Sequence, residues 1–222
     1  MPEQLTFPLP TKTALGRENF FISEANQMAV ATLEDASRWP NGKLILCGPP
    51  ASGKTHLAHV WAGEVGASII QGTGLFERDI AQEANGPLVV EDIDQLAAQD
   101  ETPLFHLHNL MLAEGHPLLL TTTQPPGQLG IALPDLMSRL QGTTLVALEP
   151  PDDALLSVVL MKMFSDRQIK LPGGLLDYVL PRIERSFVAA RDFVDTLDQR
   201  ALSEGKPIGK RLAGEILNQK NG

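Results

Sequence analysis

At 222 residues with 43% hydrophobic content, the chain has room and apolar material for one large domain or for a medium one with a small appendage. Its 18 basic and 27 acidic residues leave a net charge of −9, which argues against wrapping duplex DNA by phosphate neutralisation and for reaching DNA through a protein partner. The lone Cys47 excludes an intramolecular disulfide, and no signal peptide or apolar run of about 18 residues is visible, so a soluble cytoplasmic protein is expected.

Gln4-Leu5-Thr6-Phe7-Pro8-Leu9 opens the chain. Leu5, Phe7 and Leu9 are apolar in an extended, proline-limited segment, and Gln4 offers an amide, a pattern that suits either a docking peptide or a tail with incidental leucines. Lys43-Leu44-Ile45-Leu46-Cys47 predicts a short buried strand, with Cys47 in the core. Directly after it, Gly48-Pro49-Pro50-Ala51-Ser52-Gly53-Lys54-Thr55 satisfies G-x-x-x-x-G-K-S/T, the loop whose backbone N–H groups wrap nucleotide phosphates. The glycines permit close approach, Lys54 reaches the β/γ-phosphates, and the Thr55 hydroxyl can ligate Mg²⁺. A helix from Thr55 to Ala62 would start where the phosphates sit, so Pro50, Ala51, Ser52, Gly53, Lys54, Thr55 and His56 are the expected phosphate contacts.

Four more strands are expected at Ala67 to Ile70, Pro87 to Val90, Pro117 to Thr121 and Thr143 to Ala147. Helical stretches separate them, which predicts parallel βαβ units with both faces covered. The third strand runs into Glu91-Asp92-Ile93-Asp94. One of Glu91 and Asp92 would face Mg²⁺ and the other would polarise the attacking water, unless the acids are only a solvated turn. Thr121-Thr122-Thr123 ends the fourth strand with hydroxyls that could sense a γ-phosphate, although threonine suits strand ends anyway. Arg139 is either a surface ion-pair residue or a guanidinium directed at a γ-phosphate. His56/His59 and His106/His108 lack accompanying cysteines or regularly spaced carboxylates, so no histidine-held metal is expected.

Beyond Glu149-Pro150-Pro151 only helical patterns follow: Asp152 to Asp166, Gly174 to Ile183, Phe187 to Leu202, and Gly209 to Leu217. Asp152 and Asp153 are placed to cap the first of them.

These stretches resemble the AAA+ ATPases of the DnaA type over about residues 15–218. Glu18-Asn19-Phe20-Phe21-Ile22 and Asn26 look like the segment that packs against adenine, which implies nucleotide contacts for Phe21 and Ile22. Leu136-Met137-Ser138-Arg139-Leu140 matches the segment bearing the family's arginine finger. Leu148 to Pro151 and Ile169 to Gly173 match the hinge and lid. Two features favour the Hda-like branch: the chain lacks DnaA's helix-turn-helix segment after the lid, and Gln4 to Leu9 looks like a sliding-clamp-binding peptide.

The resemblance implies a clamp-binding peptide at 1–14, an AAA+ α/β base with a five-stranded parallel sheet at 15–149, and a helical lid at 150–222. It further implies ATP or ADP with Mg²⁺ as cofactors, held in part by Thr55 and Asp92, and DnaA and the clamp as partners. A homo-oligomer is compatible with it, and sequence-specific DNA binding and membrane association are not expected. Arg139 would act in trans, with Asp92 and Glu91 as the acids. Two departures stand out. Glu91-Asp92 replaces an aspartate pair, and Val188 falls where the lid's sensor arginine is expected, with Arg185 and Arg191 one turn to either side. Both point to hydrolysis on a partner more than to independent turnover.

Overall fold

The structure, a computed structural model, describes residues 22–220, with side chains described through residue 218. The proposed docking peptide from Gln4 to Leu9 and the adenine-contact candidate Phe21 lie outside the described residues.

All five apolar runs form strands: β1 (Lys43–Cys47), β2 (Ser68–Gln71), β3 (Leu88–Glu91), β4 (Leu118–Thr122) and β5 (Thr144–Ala147). They make one sheet in the order β2-β3-β4-β1-β5, every neighbouring pair parallel. The three inner strands are buried at every position, whereas the edge strands β2 and β5 are partly exposed. That is the pattern of a parallel sheet covered on both faces.

Alternation along each strand assigns the faces. Leu44, Leu46, Val89 and Leu119 pack with residues of α1 (Gln27–Leu33) and α2 (Lys54–Val65). Ile45, Val90, Leu118 and Leu120 pack on the other side with α4 (Ala98–Ala113) and α5 (Pro134–Gln141), while the short α3 (Ile80–Glu83) flanks α4. No helix among the described residues is long and apolar enough to cross a membrane.

The C-terminal helices are α6 (Asp153–Asp166), α7 (Leu175–Val179), α8 (Phe187–Glu204) and α9 (Lys210–Lys220). They enclose their own apolar cluster, centred on Leu156, Leu160, Phe164, Phe193, Leu197 and Ile216. Asp152 caps α6 by accepting from the Leu155 N–H at 2.7 Å, and Asp153 is the first helical residue. Ser186 caps α8 through the Ala189 N–H at 3.0 Å. The helix expected over Gly174 to Ile183 is only Leu175–Val179. Pro181 has no N–H to continue the helical ladder, so the chain turns there.

Two buried acids in the first turn of α4 tie distant loops to the sheet layer. Asp100 accepts from the N–H groups of Gly74 (3.2 Å) and Phe76 (3.0 Å). Glu101 accepts from Ala132 (3.0 Å) and Leu133 (2.7 Å), anchoring the segment that enters α5. Glu101→Ala removes two charge-assisted hydrogen bonds and orphans two backbone donors, a loss of about 2–4 kcal/mol. The thermal midpoint should therefore fall by about 5–15 °C for a chain of this size. A calorimetric scan showing an unchanged midpoint would exclude this anchoring role.

Candidate functional site

Strand β1 lies between β4 and β5 although its sequence neighbour β2 is at the far edge, so the loop leaving its C-terminal end opens where strand order reverses. Gly48 is required by packing. A Cβ there would lie 2.7 Å from both the Leu148 carbonyl oxygen and the Ser52 Oγ. Gly53 is required by conformation, with φ at +96°, and by a Phe187 ring that a Cβ would approach to 3.0 Å. Ala51 also adopts a positive φ, 59°, which curls the loop back on itself.

Lys54 begins α2, and its Nζ donates to the carbonyls of Gly48 (2.8 Å) and Pro49 (2.9 Å). Burial lowers its pKa, while Asp92, Asp94 and Cys47 act in the opposite sense. Ser52 is buried, and its Oγ has no hydrogen-bond partner among the described residues. A buried hydroxyl in that state, inside a loop held open by glycines, fits an anionic ligand oxygen. Pro50, Thr55 and His56 are exposed around the loop, and Ala51 is half-buried. Ile22 packs against the apolar cluster beneath α1 and α2, while Asn26 accepts from the Ser23 N–H at 2.9 Å.

Two strand spacings, about 10 Å, separate β1 from β3, and the acids at the end of β3 diverge. Glu91 is buried on the α2 side: its Oε2 accepts from Gln71 Nε2 at 3.3 Å and lies 3.6 Å from His59 Nε2. Its Oε1 is buried and unpartnered among the described residues. Asp92 turns the chain with φ at 55°. Its carboxyl is raised in pKa by burial and then by Glu91 and Asp94, against the pull of Lys54. For Asp94, burial works upward, but bonds from the Thr123 hydroxyl (2.7 Å) and N–H (3.0 Å) outweigh it and hold the carboxylate below its usual range. The neighbouring threonines are engaged as well. Thr121 Oγ1 accepts from the Asp92 N–H (3.0 Å), and Thr122 donates to the Gln124 carbonyl (2.9 Å). The Thr121 and Thr123 hydroxyls therefore brace the acidic turn, while that of Thr122 holds its own loop at Gln124. Among the described residues, no three His, Cys, Asp or Glu side chains form a set able to hold a metal.

The lid meets the loop through the start of α8. The Phe187 N–H faces the Ala51 carbonyl at 3.4 Å, and its ring covers Gly53. Sequence reasoning did not single out Phe187, and its only signal was its place after the Ser186 cap. Val188 is exposed in the first turn of α8. Arg185 pairs with Asp153 at 3.0 Å, across the start of α6, and Arg191 is exposed.

Arg139 lies elsewhere. It is exposed in the last turn of α5, and its charge acts on Lys43 and His108. Lys43 begins β1, whereas the phosphate-type loop follows its end, about 13 Å further along the strand. Arg139 forms no salt bridge among the described residues, so the structure supplies no partner for the ion-pair alternative.

This architecture has known counterparts. Domain III of the Thermotoga maritima replication initiation protein DnaA superposes with a TM-score of 0.79 at 22% identity, covering 96% of this chain and 98% of that one. The chain has the fold of DnaA domain III. AMPPCP-bound DnaA from Aquifex aeolicus gives a TM-score of 0.74 at 16% identity, over 97% of this chain and 71% of that one. A T158V variant of Thermotoga maritima RuvB follows at 0.67 and 19%, over 87% and 67%. No protein-family model matches the chain. On the DnaA domain III fold, Lys54 of the glycine loop stands beside Asp92 and Asp94 of the acidic turn, and Phe187 at the start of α8 covers Gly53. Arg139 belongs to a separate surface.

Proposed function

We propose that this chain is a nucleotide-binding AAA+ adaptor of the Hda type, which binds the DNA sliding clamp and promotes hydrolysis of DnaA-bound ATP, thereby limiting replication initiation. The observation that carries it is the position of Arg139, exposed and without an ion-pair partner among the described residues, at the opposite end of β1 from the chain's own phosphate-type loop. A guanidinium so placed serves a neighbouring molecule better than its own cleft. In the partner, water attacks the γ-phosphorus, the bond to the β–γ bridging oxygen breaks, and ADP and phosphate leave. Arg139 would stabilise the charge that builds on those oxygens.

In its own cleft the chain would hold ATP or ADP through the backbone of Pro50 to Lys54, the Lys54 ammonium and the starts of Thr55 and His56, with Phe21 and Ile22 beside the adenine. The AMPPCP in the Aquifex aeolicus DnaA structure supports the nucleotide reading. Thr55 and Asp92, or the unpartnered oxygen of Glu91, would hold Mg²⁺ together with phosphate oxygens. Bound Mg²⁺ supplies neutralisation of phosphate charge. ADP would then serve as a structural cofactor.

A second reading, an ATPase that hydrolyses its own ATP, is favoured by one observation: Asp92 and Asp94 both act on Lys54, so the parts of a hydrolytic site face one another. Val188 at the start of α8 weighs against it, since no guanidinium occupies that place. Turnover by the isolated protein, compared with turnover after adding DnaA and loaded clamp, separates the two.

The docking peptide has its own test. Changing Gln4 and Leu5 to Ala should abolish clamp binding and leave the thermal midpoint nearly unchanged, because a terminal segment contributes little to the core. Undiminished clamp binding, or a large midpoint shift, would assign the segment to the fold instead.

A further inference from the structure

Lys43 is 2% exposed although it carries a charge. It opens β1 on the face covered by α4, and its Nζ lies 3.1 Å from His108 Nδ1. The other ring nitrogen, Nε2, lies 3.3 Å from Thr143 Oγ1. The Thr143 hydroxyl in turn donates to the Arg139 carbonyl at 2.9 Å. Three elements that are far apart in sequence thus meet beneath the last turn of α5.

We propose that Lys43, His108 and Thr143 form a directed hydrogen-bond relay that positions Arg139. This inference rests on the reading of Arg139 as a group acting on a partner's ATP. The direction follows from donor chemistry. An ammonium only donates, so Nδ1 must be the acceptor. A neutral imidazole with an accepting Nδ1 carries its proton on Nε2, which then donates to Thr143 Oγ1. The threonine has its own hydrogen left for the Arg139 carbonyl. Each bond sets the direction of the next.

The protonation states agree with this order. Burial, then Lys43 and Arg139, lower His108 to about 4, so the ring is neutral at neutral pH. Burial, then Arg139, lower Lys43 to about 8, which leaves it mainly an ammonium there.

The last turn of a helix has carbonyls with no intrahelical donor and frays unless they are satisfied. Arg139 sits in that turn of an eight-residue helix. Tying its carbonyl to β1 through the relay fixes the backbone from which the guanidinium projects. Misplacement of a transition-state contact by about 1 Å costs on the order of 100-fold in rate.

The test uses full-length protein with DnaA-bound ATP and loaded clamp. Thr143→Val should lower maximal turnover by about 10- to 100-fold, with half-saturating concentration and the protein's own nucleotide affinity unchanged. Thr143→Ser, which keeps the hydroxyl, should restore it. Imidazole ¹⁵N NMR should show an unprotonated Nδ1 and a protonated Nε2 on His108, and Lys43→Met should release that preference. Wild-type turnover by Thr143→Val, while Arg139→Ala has lost stimulation, overturns the relay and leaves the adaptor reading standing. Normal stimulation by Arg139→Ala overturns the adaptor reading, and the relay's positioning role with it. A protonated Nδ1 on His108 in the parent overturns the relay whatever Arg139 does.

Discussion

If the chain is the proposed adaptor, Arg139→Ala should leave nucleotide affinity and clamp binding intact, yet remove stimulation of ATP hydrolysis on DnaA by roughly 10³–10⁵-fold. The size follows from what a guanidinium does in a water-poor interface, where it meets charge that develops only in the transition state. The selectivity follows from placement: the residue is exposed at the end of α5, with the length of β1 between it and the glycine loop. Lysine at the position should rescue poorly, because an ammonium lacks the planar fork that spans two phosphate oxygens. The assay is single-turnover hydrolysis of DnaA-bound ATP in the presence of loaded clamp. Normal stimulation by Arg139→Ala would reduce Arg139 to a surface residue and end the proposed mechanism.

Lys54→Ala should weaken ADP and ATP binding at least tenfold, since a charge-assisted contact to phosphate contributes on the order of 1.5–3 kcal/mol. The side chain has two structural bonds as well, to the carbonyls of Gly48 and Pro49, so loop order has to be separated from ligand contact. Thermal unfolding without nucleotide makes that separation. A small shift in midpoint combined with a large loss of affinity assigns the effect to the ligand. Equal affinities in parent and variant by titration calorimetry would remove the phosphate-loop reading altogether.

The glycine loop was legible in the amino-acid string because its chemistry is local. Eight contiguous residues, Gly48 to Thr55, hold the backbone shape, the cation and the hydroxyl. The strands and most lid helices were legible for a related reason. Burial of β1, β3 and β4 at every position demands unbroken apolar runs, and a cap such as Asp152 acts within three residues. One lid boundary was not, because Pro181 ends α7 earlier than apolar spacing alone implies.

Side-chain partnership across the sheet was beyond any local pattern. Glu91 and Asp92 are adjacent and both acidic, yet one points under α2 towards His59 and the other turns the chain beside Lys54. The choice depends on where β3 ends relative to β4, which the string does not contain. Thr123, read as a possible phosphate sensor, spends its hydroxyl on Asp94, 29 positions away. His106 and His108 looked alike as a spaced pair, but helical rotation leaves the first exposed and brings the second to Lys43, 65 positions away. Short-range residue types thus carry the backbone, the loop and the caps, because each satisfies its own hydrogen bonds nearby. Which buried polar groups meet is settled only when parallel strands choose their register and helices choose the face they turn to the sheet, since those contacts close over tens of residues.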